Sequence, residues 1–195
     1  MISGKNRPER RLLPVLLGLL ISTPALADLS LEMLLQQFSR IASDDVRFRE
    51  VRQLALLEEP LVLEGILSYQ APDHLRKEVL TPEPSQFDIS GNSLHIETAN
   101  EQRTLPLDSH PLLRAFAESY RAILAGNETT LEEYFETELT GSIDSWTLRL
   151  QPRDRQARAY LEKIIMKGSG NRIHSAETLE ASGDKSLMTL LPDND

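Results

Sequence analysis

Residues Leu61 to Gln70 read Leu-Val-Leu-Glu-Gly-Ile-Leu-Ser-Tyr-Gln, and the period of that run decides the fold. Leu61, Leu63, Gly65, Leu67 and Tyr69 fall on one side of an extended chain, and Val62, Glu64, Ile66, Ser68 and Gln70 on the other, because successive side chains of a strand point to opposite faces. The odd face is predicted to be the buried one. Glu58-Glu59-Pro60 before the run and Pro72-Asp73 after it are turn-forming, so it is one strand of a meander.

The same reading extends in both directions. Upstream, Val46 and Phe48 open a strand that continues irregularly through Leu54 and Leu56. Downstream, Leu75, Lys77 and Val79 alternate with Arg76, Glu78 and Leu80 until Pro82 and Pro84 interrupt, since proline cannot donate to a ladder. Phe87 and Ile89 then face Leu94 and Ile96 across Gly91-Asn92, residue types that suit a tight hairpin turn. Arg103 to Leu107 adds a strand whose Pro106 favours an edge or a strand end. Alternation returns at Trp146, Leu148 and Leu150, at Tyr160 to Met166, at Ile173 to Leu179 and at Leu187 to Leu191, with turns at Gly168-Ser169-Gly170 and Ser182-Gly183-Asp184.

Helical spacing occurs in two places. Ser30 can cap a helix whose Leu31, Leu34, Leu35, Phe38 and Ile41 share one face. Later, Ser109 or Asp108 precedes Pro111, a good first-turn residue, and Leu112, Leu113, Phe116, Tyr120, Ile123 and Leu124 form a broad apolar face closed by Gly126-Asn127. Leu131 to Phe135 fits either a short helix or the start of a strand. The sum is an α+β protein of about 10–11 antiparallel strands, one helix before them and one or two after the sixth. It reads as a single domain, residues 28–195.

The first 27 residues stand apart. Lys5, Arg7, Arg10 and Arg11 precede the apolar run Leu12 to Ile21, and Ala25-Leu26-Ala27 supplies small residues two apart. That pattern predicts a secretory signal peptide cleaved after Ala27; the apolar run is too short for the roughly twenty residues a spanning helix needs. Four cations leave with Glu9 alone, so the exported chain is more acidic than the −9 of the whole sequence, with its 21 Lys+Arg against 30 Asp+Glu. Such a balance argues against a nucleic-acid partner, whose affinity rests on cations displacing counterions. The absence of cysteine excludes thiolate catalysis, disulfides and attachment through a lipidated cysteine. In a bacterial setting the protein belongs in the periplasm or the medium.

Catalytic chemistry is not legible. His74, His95, His110 and His174 lie far apart without metal-ligand spacing. Gly168-Ser169-Gly170 does not satisfy a nucleophile elbow and sits between two alternating strands. Glu58-Glu59, Glu132-Glu133 and Arg153-Asp154-Arg155 read as solvated charge near turns and helix ends. No phosphate-binding or dinucleotide fingerprint is present, so neither enzyme activity, metal nor cofactor is expected. What remains is a pairing of shapes: a curved sheet with one apolar face, and helices whose apolar faces need cover. If the packing is complete this is an ordinary core; if the helices form a lid, the same residues line a ligand cavity.

Phe38, Phe48-Arg49-Glu50, Gly65-Ile66-Leu67-Ser68-Tyr69 followed by Ala71-Pro72-Asp73, Ser90-Gly91-Asn92-Ser93-Leu94, and Trp146-Thr147-Leu148-Arg149-Leu150-Gln151-Pro152 together resemble the LolA-like periplasmic lipoprotein carriers. The likeness implies an unclosed antiparallel β-barrel with a helical lid and a cavity for acyl chains of a lipoprotein or other lipid, carried toward the outer membrane without catalysis. It implies an inner-membrane exporter and an outer-membrane acceptor as partners of a monomer that does not span the membrane. Relatives that sense lipid or lipoprotein as regulatory domains suggest the alternative. The inward positions for such a cavity are Phe48, Leu63, Leu67, Tyr69, Phe87, Ile89, Leu94, Ile96, Trp146 and Leu148, with Leu112, Leu113, Phe116, Tyr120, Ile123 and Leu124 on the lid. Two departures stand out. The well-studied carriers place an arginine, which hydrogen-bonds lid backbone, before the proline where this chain has Ala71, and an aromatic beyond the glycine turn where it has His95 and Ile96. Alanine offers no side-chain donor, which points to a divergent carrier of another acylated or polyene-type lipid.

Overall fold

A computed structural model describes residues 29–191, and in it the Leu61–Gln70 run is a strand, as its period predicts. The predicted leader, residues 1–27, lies outside the described residues. Helix α1 is Leu31–Phe38, capped by Ser30, whose Oγ accepts from the Met33 N–H at 3.2 Å. Six strands follow: β1 Ser43–Gln53, β2 Leu61–Gln70, β3 His74–Thr81, β4 Ser85–Ser90, β5 Ser93–Thr98 and β6 Gln102–Pro106. The β4–β5 turn is Gly91-Asn92, with Gly91 at φ 54°, the left-handed first position that a type II′ hairpin assigns to glycine.

A 3-10 turn, Leu107–Ser109, leads into α2, Pro111–Leu124, and then α3, Glu128–Tyr134. Ser109 is consumed by the 3-10 turn, so the residue before Pro111 in the cap position is His110. Both readings of Leu131 to Phe135 are realised in succession: Asn127 caps α3, and Phe135 opens the next strand. The chain ends with β7 Phe135–Ser142, β8 Ser145–Pro152, the short helix α4 Arg155–Arg158, β9 Leu161–Ser169, β10 Arg172–Glu180 and β11 Lys185–Leu191. Helix α4 forms because Asp154 accepts from the Ala157 N–H at 2.8 Å, giving a capping role to a residue that reads as loop charge. The extension of β1 through Leu54 and Leu56 does not occur: the strand stops at Gln53 and Leu56 is 97% exposed.

All eleven strands join one antiparallel sheet in the order β6-β5-β4-β3-β2-β1-β11-β10-β9-β8-β7. The edges β6 and β7 do not pair, so the barrel is unclosed. The first and last strands meet in the middle, from Arg47 opposite Leu191 to Gln53 opposite Lys185. Over β7 to β9 the inner face is packed solid: Leu34, Leu35 and Phe38 of α1, with Ile123 and Leu131, close on Trp146, Leu148, Leu150, Ile164 and Met166. Each large side chain buried there contributes roughly 1.5–3 kcal/mol, so this half anchors the fold.

Candidate functional site

The other half of the sheet is not packed solid. A cavity of about 1320 Å³ lies between α2 and the inner faces of β1 to β5, β10 and β11, larger than the roughly 300–1,000 Å³ of a site for a drug-sized molecule. Its apolar wall follows from strand parity. Leu61, Leu63, Leu67 and Tyr69 of β2 all face it, as do Leu75 and Val79 of β3 and Phe87 and Ile89 of β4. From the opposite side come Leu112, Leu113, Phe116, Tyr120 and Leu124, the i, i+4 stripe of α2.

Of the positions named from the sequence, Leu63, Leu67, Tyr69, Phe87, Ile89 and Leu94 line this space, with all of the helical set except Ile123. The others lie elsewhere, each for a local reason. Phe48 faces inward but is 1% exposed, because its ring lies over Gly65, its partner across the β1–β2 ladder, and beneath the Lys77 ammonium at 4.9 Å. A Cβ on Gly65 would overlap the Glu78 carbonyl and come within 3.0 Å of that ring, so the glycine makes room for the phenylalanine. Ile96 packs beside Leu94, Leu107 and Ala117 at the edge of the sheet. Trp146 and Leu148 have the expected inward parity, yet the helices fill the space above β8, and both belong to the packed core with Ile123. Trp146 meets Phe38 edge-on at a centroid distance of 5.9 Å and donates Nε1–H to the Gly170 carbonyl at 3.0 Å.

Several wall residues carry no apolar signal. Glu50, only 5% exposed, receives the Lys77 ammonium on Oε2, while its Oε1 is 3.8 Å from Arg52 Nε. Both cations occupy inward strand positions, but alternating charge in a sequence reads as a solvated face, which hid them. Tyr120 hangs over this group from α2. It is half-buried and borders the cavity, and that burial, with the Glu50 charge second, pushes its pKa up to about 12. It therefore remains a neutral hydroxyl at ordinary pH. Ala176, Met188 and Leu190 complete the wall; finding them required knowing that β11 returns to β1.

One polar tie fastens α2 to the barrel half. Arg121, 9% exposed, donates from Nε to the Asp73 carbonyl at 2.9 Å, and the Asp73 carboxylate accepts from the Gly91 N–H at 3.1 Å. Among the described residues no group of three or more His, Cys, Asp or Glu could hold a metal, and no helix is long and apolar enough to cross a membrane.

A family model described as "Outer membrane lipoprotein carrier protein LolA-like" matches residues 23–193. No curated protein matches the sequence at significance. Among solved structures, a LolA superfamily protein from Nitrosomonas europaea aligns with a TM-score of 0.44 and 11% identity over 84% of this chain and 92% of that one. The lipoprotein LppX of Mycobacterium tuberculosis aligns with a TM-score of 0.37 and 9% identity over 84% and 97%.

Proposed function

We propose that this chain, which belongs to the LolA-like outer membrane lipoprotein carrier family, is a non-enzymatic carrier that holds acyl chains in the cavity under α2. In this reading residues 1–27 are an export signal, residues 28–195 form one carrier domain, and the protein works in the periplasm. It takes its cargo from an inner-membrane exporter and gives it to an outer-membrane acceptor.

The observation that carries the reading is the contrast between the two halves of one sheet. A protein that used its helices only for stability would pack the inner face throughout, as it is packed above β7 to β9. Instead the leucine and phenylalanine stripe of α2 faces about 1320 Å³ of space across from the leucines of β2. An apolar wall of this size offers a driving force of roughly 25 cal/mol for each Å² of acyl surface it removes from water.

Native mass spectrometry of the protein recovered from the periplasm, with Nile red displacement by palmitoyl and diacyl lipids, tests this. The expected result is stoichiometric lipid and competitive displacement. Failure of every acylated compound to displace the dye would refute the carrier function.

A further inference from the structure

The cavity wall is not uniformly apolar: a single carboxylate, Glu50, is flanked there by two cations, Lys77 and Arg52. Glu50 is the only carboxylate within 4 Å of Lys77 or Arg52 among the described residues, and both cations share it. Arg52 Nε is buried without a hydrogen-bond partner among those residues, while 37% of its side chain is exposed. Shielding that one N–H from water without an acceptor costs free energy, and a planar guanidinium with a donor open to the cavity suits a carboxylate or phosphate.

The neighbours of Arg52 strengthen the case. Across the sheet it stands opposite Ser186 of β11, and Ser186 stands opposite Thr178 of β10, so a guanidinium and two hydroxyls form one row on the cavity wall. Thr178 is 8% exposed. Each step between such cross-strand partners is about 4.5–5.5 Å, so the row spans roughly 9–11 Å, a distance that the long Arg52 side chain and one headgroup together can cover. Two other carboxylates line this end, Glu83 and Glu180, but neither pairs with Arg52 or Lys77 among the described residues. Asp44 and Asp45 lie at the far end of β1, seven or eight residues away, or roughly 25 Å at strand rise. Arg76 is already paired with Asp88.

We propose that Arg52, Ser186 and Thr178, with Lys77 beside them, form an anion-binding headgroup site, so the ligand is an acidic amphiphile rather than a neutral lipid. The headgroup docks at the Arg52 end and the tail runs along β1 and β2 toward Val46 and Leu67. The roughly 25 Å of wall exceeds the half-thickness of a bilayer core of about 30 Å, so a tail drawn from one leaflet fits along it. The Glu50–Lys77 pair holds the second cation in place, and the neutral Tyr120 hydroxyl covers it from α2. This proposal rests on the acyl-cavity reading and narrows it to a ligand class.

The test uses Nile red displacement from the full exported chain by three probes of one tail length: palmitate, palmitoyl lysophosphatidate and methyl palmitate. At least one acid is expected to bind about tenfold or more tightly than the ester, and the better acid identifies the headgroup as carboxylate or phosphate. Arg52→Gln should cost the acids more than the ester and so narrow the gap between them, whereas Arg52→Lys should recover part of it. Equal affinity of acids and ester in the wild type, or an equal loss of all three in Arg52→Gln at unchanged Tm, would overturn the headgroup site while leaving the carrier standing. If none of the three displaces the dye, the carrier reading fails and takes this proposal with it.

Discussion

The guanidinium of Arg121 on α2 donates to the main-chain carbonyl of Asp73, two residues beyond Ala71, at 2.9 Å. The likeness to the lipoprotein carriers implies an arginine at the Ala71 position reaching up to the lid. Here the donor is on the lid and reaches down to the β2–β3 turn, so the same two parts of the molecule are tied in the opposite sense. The Asp73 carboxylate, bonded to the Gly91 N–H, braces the acceptor against the β4–β5 hairpin.

Arg121→Gln should therefore loosen α2 without unfolding the protein. A charged donor to a part-buried carbonyl is worth about 1.5–3 kcal/mol, lost here from the lid alone. Hydrogen exchange should accelerate across Pro111–Leu124 and stay slow in β8 and β9, and apolar dye should load faster. Uniform acceleration in both regions would mean that Arg121 supports the whole fold rather than the lid.

The cavity-facing helix α2 and the core-packed helix α3 predict different phenotypes. Phe116 borders the cavity, so Phe116→Asp places a carboxylate where water can reach it, and ligand affinity should fall sharply while the melting transition survives. Leu131, fully buried against α1 and the core strands, has no such outlet. Leu131→Ala should cost about 2–5 kcal/mol and leave the affinity of the folded fraction unchanged. Thermal melts and ligand titrations of both variants check the pair, and a fold lost with Phe116→Asp would show that this face is core.

Trp146 is a reporter of the core and not of the cavity. A Cβ on Gly168 would overlap the indole and the Arg172 carbonyl, so Gly168→Ala must displace one of them, at a cost of about 1–3 kcal/mol or more. Its emission maximum should shift to the red, as water reaches an indole that is 2% exposed in the wild type. Wild-type emission, in contrast, should not change on ligand addition. A strong ligand-induced change would require that the packed half opens.

These distinctions mark how far the sequence could be read. Alternation in Leu61 to Tyr69 and the helical stripe from Leu112 to Leu124 give the strand and helix faces directly, because those periods are local properties of the backbone. Whether an inward face meets a void or a helix is not local. Leu67 and Leu148 carry the same pattern, and they differ because α1 and α3 sit above β8 while only the α2 stripe overlooks β2. The return of β11 to β1, which brings Ser186 beside Arg52, joins segments more than a hundred residues apart and leaves no short-range signal. Charge concealed Glu50, Arg52 and Lys77 for a different reason: in sequence a charged residue reads as solvated, and only the fold shows that these point into a cavity.

Tyr120 gives the site a pH signature. Burial first, and then the Glu50 carboxylate, push its phenol up to about 12 from an unfolded value of 10.0. A proton held more tightly in the folded state contributes stability that is complete below pH 10 and is lost as pH rises from there toward 12. Holding a proton tenfold more tightly corresponds to about 1.36 kcal/mol; water in the cavity eases the burial, so the loss over this window should be about 1–2 kcal/mol. Tyr120→Phe has no proton to lose. Urea unfolding of the two proteins should differ by a constant amount at pH 7 to 9, and above pH 10 the difference should move in favour of the phenylalanine variant. Tyr69, whose phenol is also raised by burial and then by Asp73, titrates in both and cancels. Filling the cavity with a bound acyl ligand should steepen the alkaline loss in the wild type alone. A constant difference at every pH, with and without ligand, would place the Tyr120 hydroxyl in water and remove it from the cavity roof.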